Sequence, residues 1–223
     1  THRYSSAASD VYKRQKHKGL RNKLVEELSN KGIKDVKVLD AISKVPRHLF
    51  MDSSFIDHAY QDKAFPIGSG QTISQPFTVA YQTQLLEINK GDKILEIGTG
   101  SGYQAAVLCE MGAKVFTIER IRELYRKTSA FLPSINYFPK KMIYGDGYQG
   151  YEKEEPFDGI IVTAGASKIP EKLLLQLKIG GRMVIPVGEN TQKMVLYLKK
   201  SASEFDIENF GDFQFVPMLK NKI

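Results

Sequence analysis

The stretch KILEIGTGSGY, residues 93–103, decides the fold class of this 223-residue chain. Its apolar start predicts a buried strand, and its three glycines predict a tight turn in which the backbone can approach a ligand closely. A helix that begins after the turn would point its free amide groups at that ligand. A second apolar run, residues 115–118, ends at Glu119, whose carboxylate can accept hydrogen bonds from both hydroxyls of a ribose. Together these features predict a site for a nucleoside-containing cofactor.

Two details of the glycine loop distinguish between cofactors. Dinucleotide sites use the pattern Gly-x-Gly-x-x-Gly, but here Tyr103 takes the sixth position and the third glycine comes one place early. Glu96 adds a negative charge that would repel a pyrophosphate and attract a cationic ligand. S-adenosylmethionine combines a ribose and an adenine with two cationic groups and no phosphate, so it is the favoured cofactor. The alternative is a plain strand-to-helix turn with a solvated Glu96.

Predicted strands and helices alternate from Asp92 onward, as is typical of βαβ units. The strand predicted at residues 194–198 follows the short Glu189-Asn190 turn, and we expect it and the last predicted strand to pair antiparallel at the edge of the sheet. We therefore expect an α/β fold with a doubly wound, mostly parallel sheet and an antiparallel C-terminal edge strand. The predicted strands cover residues 93–97, 115–118, 141–144, 157–163, 182–187, 194–198 and 213–216.

The part of the chain before the sheet predicts an N-terminal helical cap. Apolar residues at helical spacing predict one helix from Lys16 to a stop at Gly32, and a second that is capped by Asp35 and ended by Pro46. Residues 47–75 are predicted to be rich in loops, and residues 76–88 to form a helix. We expect residues 16–75 (cap and active-site loop) and 76–223 (cofactor-binding domain) to form one compact unit. Residues 1–15 lack apolar periodicity, so we suspect a non-native leader.

Composition excludes several classes of protein. The sequence is 42% hydrophobic and has no apolar run of membrane-spanning length, which predicts a soluble, cytoplasmic protein. The net charge of +7 is spread along the chain without interleaved aromatic residues, so we expect no nucleic-acid partner. We also expect a monomer. Cys109 lies in an apolar helix and is predicted to be buried filler. Four scattered histidines predict no metal site.

The predicted strand ends collect the candidate ligand contacts. In open α/β sheets, ligands bind beyond the carboxyl ends of the strands, where the strand order reverses. Asp146, between two glycines after the third strand, can reach an adenine amino group or a nearby amide; an ordinary turn aspartate is the alternative. Thr163 ends the fourth strand. Both residues are expected near the glycine loop.

At this point the sequence resembles the protein-L-isoaspartate O-methyltransferase family. The resemblance covers roughly residues 40–220, and its most specific segment is the run Gly70-Gln71-Thr72-Ile73-Ser74 ahead of the glycine loop. It implies a class I methyltransferase fold, which is Rossmann-like, with S-adenosylmethionine as methyl donor and no metal. It further implies that the acceptors are isoaspartyl residues in damaged proteins. The other matching segments are residues 45–50, 67–76, 95–103, 145–147, 157–158, 185–188 and 215–218.

The resemblance also implies roles for individual residues. It makes Ser74 the active-site serine, whereas spacing alone would favour a helix cap ahead of Pro76. Thr72 is expected to help Ser74 aim the acceptor oxygen. Gln214 stands where relatives often have arginine, which leaves a charged contact from this position open. The expected cofactor contacts are Glu96, Ile97, Gly98, Thr99, Gly100, Ser101, Gly102, Glu119, Arg120, Asp146, Gly147 and Thr163. The expected substrate contacts are Ile73, Gln75, Val216 and Pro217.

Other functions stay open on the sequence alone. One is a methyltransferase that acts on RNA or on a small molecule, and another is a module that binds a cofactor without catalysis. A nicotinamide-dependent oxidoreductase is opposed by Tyr103 and Glu96. The absence of an obvious His or Cys centre does not count against methyl transfer, because an isoaspartyl carboxylate is already ionised at neutral pH and needs no general base.

Overall fold

A computed structural model describes the backbone from residue 2 and the side chains from residue 15. The suspected leader, residues 1–15, therefore lies almost wholly outside the described side chains, and its origin stays a prediction. The helices are α1 (His2–Asn30), α2 (Val36–Lys44), α3 (Pro76–Leu85), α4 (Tyr103–Glu110), α5 (Arg122–Ser134) and α6 (Glu171–Leu175). The strands are β1 (Phe65–Gly68), β2 (Gln71–Ile73), β3 (Lys93–Ile97), β4 (Lys114–Glu119), β5 (Lys141–Tyr144), β6 (Phe157–Val162), β7 (Leu177–Val187), β8 (Gln192–Lys199) and β9 (Phe205–Phe213).

Seven strands form one sheet in the order β5-β4-β3-β6-β7-β8-β9. Strands β3 to β7 pair in parallel, and β8 and β9 pair antiparallel at one edge. The chain runs outward from β3 through β4 to β5 and then returns to place β6 on the other side of β3. The strand order therefore reverses at β3, and the predicted doubly wound sheet is confirmed.

Apolar side chains cover both faces of this sheet. In β3, Ile94 packs into one core cluster and Leu95 and Ile97 into the other, as alternation along a strand requires. The first cluster also contains Leu28 of α1 and Ile42 of α2. The N-terminal helices thus share a core with the sheet, while the proposed boundary at residue 75 stays a prediction.

Several predicted boundaries were wrong. The last strand is β9, Phe205–Phe213, and residues 214–216 lie beyond it. Most of β9 is exposed and carries Asp206, Glu208 and Asp212, so it lacks the apolar signal of a buried strand. Strand β7 begins five residues before the predicted start at Arg182, at Leu177. Helix α3 ends at Leu85, not at residue 88.

The N-terminal part also differs from the prediction. Helix α1 begins before Lys16, because no glycine or proline precedes that residue to stop it. The stretch predicted to be loop-rich, residues 47–75, contains two short 3₁₀ helices and an antiparallel hairpin of β1 and β2. These strands have only four and three residues, too few for alternation to reveal them in the sequence. The hairpin sets the path of the chain into Ser74.

Candidate active site

A cleft opens at the carboxyl ends of β3, β4 and β6, at the point where the strand order reverses. About 820 Å³ of empty space lies between its walls, and this volume includes the open mouth toward solvent. We call it the cofactor cleft. Its lining consists of Gln71, Thr72, Ile73, Ser74, Val79, Ile97, Gly98, Thr99, Gly100, Ser101, Tyr103, Gln104, Ile118, Glu119, Arg120, Ile121, Gly147, Thr163, Ala164, Val216, Pro217, Met218 and Leu219.

The glycine loop is fixed by contacts that only glycine allows. Gly98 has a φ of +98°, and a Cβ added there would lie 2.6 Å from the hydroxyl oxygen of Thr163. That hydroxyl donates to the carbonyls of Ile97 at 3.0 Å and Gly98 at 2.7 Å. Thr163 therefore ties the end of β6 to the start of the loop, and both line the cleft.

Glu119 binds the same loop from the neighbouring strand. Its Oε2 atom accepts a hydrogen bond from the amide of Gly100 at 2.8 Å, and its Oε1 atom accepts one from the amide of Ile121 at 2.9 Å. The side chain is almost completely buried but reaches the cleft wall. Each carboxylate oxygen keeps a further lone pair, so Glu119 can also accept from ribose hydroxyls.

Glu96 lies in a different place from the one expected. It is fully buried beneath the loop, does not line the cleft, and neither of its carboxylate oxygens has a hydrogen-bond partner among the described residues. Desolvation raises the pKa of Glu96 to about 8, and the charge of Glu119 adds to this effect. At neutral pH the carboxyl is therefore mostly protonated, and a contact from Glu96 to the cofactor stays a prediction.

Asp146 has the hydrogen bonds of an ordinary turn aspartate, which was the alternative to a ligand contact. Its Oδ1 atom accepts from the amide of Tyr148, and its Oδ2 atom from the amide of Asn221, each at 2.9 Å. Asp146 is absent from the cleft lining, but the adjacent Gly147 is present. The structure thus places Asp146 where it supports the cleft through backbone contacts.

The segment 216–223 closes one side of the cleft. The Arg120 side chain donates to the carbonyl of Asn221 at 2.8 Å, and the amide of Ile223 donates to the carbonyl of Arg120 at 2.9 Å. The hydroxyl of Tyr148 donates to the carbonyl of Met218 at 3.1 Å. These bonds hold the segment against the ends of β4 and β5, so the expected wall at Val216 and Pro217 lies at the cleft.

A second cavity, which we call the acceptor groove, adjoins the cofactor cleft. Four residues line both: Thr72, Ser74, Thr163 and Val216. Ser74 is half-buried, and among the hydrogen bonds of the described residues none involves its hydroxyl. The first residue before α3 is Gln75, which makes no side-chain cap, so the alternative role of Ser74 as a helix cap is wrong. The rest of the groove lining is Ala64, Gln75, Phe77, Thr78, Tyr81, Thr191, Phe210, Gly211, Asp212, Phe213, Gln214 and Phe215.

The aromatic side of the acceptor groove was missed in the sequence. Tyr81 stands at its centre, with ring centroids 5.5 Å from Phe77, 5.6 Å from Phe213 and 6.2 Å from Phe210. Phe77 and Tyr81 are four residues apart on α3 and so share one helix face, which was the available signal. The partners on β9 come from a distant part of the sequence.

The structure therefore brings together most of the expected site residues. From the expected cofactor contacts, the cleft contains Ile97, Gly98, Thr99, Gly100, Ser101, Glu119, Arg120, Gly147 and Thr163, whereas Glu96, Gly102 and Asp146 lie outside its lining. Gly102 precedes α4 with a φ of +85°, and a Cβ there would contact Thr128. From the expected catalytic and substrate contacts, Thr72, Ile73, Ser74, Val216 and Pro217 line the cleft, and Gln75 lines the groove.

Other chemistries find little support in the described part of the chain. Burial raises the pKa of the Cys109 thiol to about 12, which is unfavourable for a nucleophile. Among the side chains from residue 15 onward, no three His, Cys, Asp or Glu residues converge as metal ligands would. None of the described helices combines the length and apolar character of a membrane span.

Comparison with known proteins identifies the family of this chain. Residues 19–223 match the sequence model of the family described as protein-L-isoaspartate(D-aspartate) O-methyltransferase. A protein-L-isoaspartate O-methyltransferase from Christiangramia forsetii is 62% identical over 213 residues, which cover 96% of this chain and 99% of the relative. One from Flavobacterium psychrophilum is 61% identical over 93% of this chain and 97% of the relative.

A solved structure gives the same result. A Plasmodium falciparum protein assigned to this enzyme type, crystallised in complex with S-adenosyl-L-homocysteine, superposes with a TM-score of 0.78 at 28% identity. The superposition covers 92% of this chain and 99% of that chain. Sequence and fold agree, and the chain belongs to the protein-L-isoaspartate(D-aspartate) O-methyltransferase family.

Proposed function

We propose that this protein methylates the free carboxylate of isoaspartyl residues. The reaction would take place at the boundary between the cofactor cleft and the acceptor groove. The observation that supports this proposal is that Thr72, Ser74, Thr163 and Val216 line both cavities. A methyl group at the end of the cleft and a carboxylate at the end of the groove would meet there. S-adenosylmethionine supplies the methyl group as a sulfonium, which is an electrophile without any metal.

The residues of the cleft fit this cofactor. Gly98 and Gly100 line the cleft without side chains, so a nucleoside can approach the backbone of the loop there. Glu119 offers free lone pairs for the two ribose hydroxyls. Apolar side chains of Ile118, Ile121 and Met218 line the same cleft, as an adenine face requires. No phosphate-binding cation is needed, since the cofactor carries none.

Ser74 and Thr72 would orient the acceptor. Each hydroxyl can donate one hydrogen bond to a carboxylate oxygen and so aim the other oxygen at the methyl group. Opposite charges cancel as the new C–O bond forms, so a fixed cation on the carboxylate would hold the reaction back. Neutral donors avoid this cost, and in-line positioning can then supply much of the rate enhancement, up to about 7 to 11 kcal/mol in well-oriented systems.

The acceptor groove would bind the peptide around the isoaspartyl residue. Its aromatic side, formed around Tyr81, suits apolar side chains or the flat peptide backbone. Gln214, where relatives often have arginine, contributes an uncharged amide to the groove. After release, the backbone nitrogen that follows the ester attacks its carbonyl, methanol leaves, and a succinimide forms. Hydrolysis of the succinimide returns part of the product to normal aspartyl linkages.

Family membership decides between the alternatives that the sequence left open. It argues against a nicotinamide-dependent oxidoreductase, and a module without catalysis would not need a second cavity joined to the first at Ser74. Age-damaged proteins and peptides are the partners that this proposal implies. A monomeric state, the lack of a nucleic-acid partner and a cytoplasmic location stay predictions.

A direct assay tests the proposal. The protein is incubated with S-adenosylmethionine labelled in the methyl group and with two peptides that differ only in an isoaspartyl or aspartyl linkage. We expect a base-labile methyl ester on the isoaspartyl peptide alone. Equal labelling of both peptides, or label on added RNA instead, would refute the proposal.

A further inference from the structure

Ser74 lies in a short connection that has little support of its own. It stands between the end of β2 at Ile73 and the start of α3 at Pro76. Gln75, the residue before α3, makes no side-chain cap to the helix. The first amide groups of a helix have no partner within the helix and must find one elsewhere. A residue outside the connection must therefore bind the amide groups at the start of α3.

The carboxylate of Asp62 provides that support from outside the connection. Its Oδ1 atom accepts from the amide of Phe77 at 2.7 Å, and its Oδ2 atom accepts from the Nε2 atom of Gln75 at 3.0 Å. Asp62 therefore caps α3 across the fold and binds residues on both sides of Pro76. A negative charge at a helix N-terminus is favourable in itself.

Asp62 is in turn fixed by cations. Its side chain is 3% exposed, and its Oδ2 atom lies 2.7 Å from the Nζ atom of Lys31, at the end of α1. The guanidinium of Arg47 is fully buried and donates to the carbonyl of Lys63, the next residue, at 3.2 Å. A buried, paired carboxylate with three hydrogen bonds has little freedom to move.

We propose that Asp62 is a positioning residue for methyl transfer, because its carboxylate holds Gln75 and Phe77 and thereby sets the place of the Ser74 hydroxyl. This inference rests on the proposed function. Asp62 itself lines neither the cofactor cleft nor the acceptor groove, so it acts through the connection and not by contact with a ligand.

The test compares Asp62→Asn with Asp57→Asn. Asparagine keeps an acceptor for the amide of Phe77 but presents an NH₂ group to two donors, Lys31 and Gln75. Asp57 serves as the control, since it is 80% exposed and, among the described side chains, pairs with Lys16 alone, at 3.3 Å. Methylation of the isoaspartyl peptide, cofactor affinity by calorimetry and thermal unfolding are measured for each variant and for the wild type.

We expect Asp62→Asn to lower kcat about 10- to 100-fold, as a displacement near 1 Å can do, while the peptide KM and the cofactor Kd change less than about threefold. Asp57→Asn should match the wild type. A purely structural role would lower the unfolding temperature and leave kcat of the folded protein unchanged, and that result would overturn the inference.

A second variant covers the case in which Asp62→Asn does not fold. Lys31→Ala changes a residue that is 43% exposed and outside both cavities, and it removes the cation that holds Asp62 together with an exposed ion pair to Glu27. We expect a smaller loss of kcat, about threefold, and wild-type kcat would overturn the inference. If the wild type itself does not methylate the isoaspartyl peptide, the proposed function fails, which is a separate outcome.

Discussion

The carboxylate of Glu119 holds the amide of Gly100 at 2.8 Å, so the acidic residue that ends β4 also fixes the glycine loop that follows β3. A cofactor ribose at Glu119 would therefore bind a group that is already in place. Preorganisation of this kind lowers the cost of binding.

Glu119→Gln should weaken cofactor binding first. The substitution removes the charge and turns one acceptor into an NH₂ group facing a backbone amide. Hydrogen bonds to charged groups contribute about 1.5 to 3 kcal/mol, so we expect the Kd of S-adenosylmethionine to rise at least about tenfold. Calorimetric titration measures this. Glu152→Gln, at an exposed site, is the matched control, and an unchanged Kd in Glu119→Gln would contradict the assignment.

Ser74→Ala should have the opposite pattern. Loss of one hydroxyl donor to the acceptor carboxylate is expected to lower kcat about 10- to 100-fold, with the cofactor Kd unchanged because the glycine loop is untouched. Steady-state kinetics and titration on the same protein separate the two effects. Ser134→Ala, which removes an exposed hydroxyl at the end of α5, controls for the substitution. Equal loss of cofactor affinity in Ser74→Ala and Glu119→Gln would mean that Ser74 is misassigned.

Tyr81→Ala should act mainly on the acceptor peptide. The variant removes the ring that contacts Phe77, Phe210 and Phe213. Aromatic pairs contribute about 1 kcal/mol beyond buried area, so we expect the peptide KM to rise about fivefold and the cofactor Kd to stay the same. Peptides with apolar neighbours of the isoaspartyl residue should be affected most. Phe138→Ala, at a ring that is 68% exposed, should leave KM unaltered.

Glu96→Gln should stabilise the cofactor-free protein in a pH-dependent way. Burial raises the pKa of Glu96 from 4.5 to about 8, so the folded state favours the protonated form. In the wild type, the preferred binding of this proton by the folded state makes its full contribution to the free energy of unfolding below pH 4.5. This contribution is lost as the pH rises to 8. The variant should match the wild type near pH 4.5 and exceed it, on the order of a few kcal/mol, near pH 8.5.

Denaturant unfolding at the two pH values checks this prediction, with the exposed Glu26→Gln as control. A stability difference that does not vary with pH would contradict the raised pKa. Titration of the same variant with S-adenosylmethionine also tests the earlier expectation, since a large loss of affinity would return Glu96 to the cofactor contacts.

The local sequence was sufficient to predict the structure where a single segment contains both the fold signal and the candidate site residues. The run that contains Gly98 and Gly100 predicted a strand, a turn and a cofactor loop together, because positive φ values and a close approach demand glycine at fixed places. Glu119 was found in the same way, as the polar end of an apolar run. The parallel sheet followed from the alternation of these elements.

Sequence reasoning failed where the role of a residue depends on distant partners. Asp62 is one polar residue in an irregular stretch, and its three donors come from Lys31 directly after α1, from the active-site connection and from α3. For Asp146 the sequence favoured a ligand contact over a turn, because the amide of Asn221 that its carboxylate accepts comes from a distant part of the chain. The position of Glu96 outside the cleft lining was also not predictable. Alternation along β3 shows which residues share a face of the sheet, but it does not show which of them reach the cleft.

The walls of the cofactor cleft have a consequence for the synthesis of the protein. They extend in sequence from Gln71 to Leu219, so a chain still emerging from the ribosome cannot complete the cleft before residues 216–219 have been made and have docked. A ligand stabilises only those states that bind it. The full stabilisation that the cofactor gives therefore becomes available only after this last segment has docked.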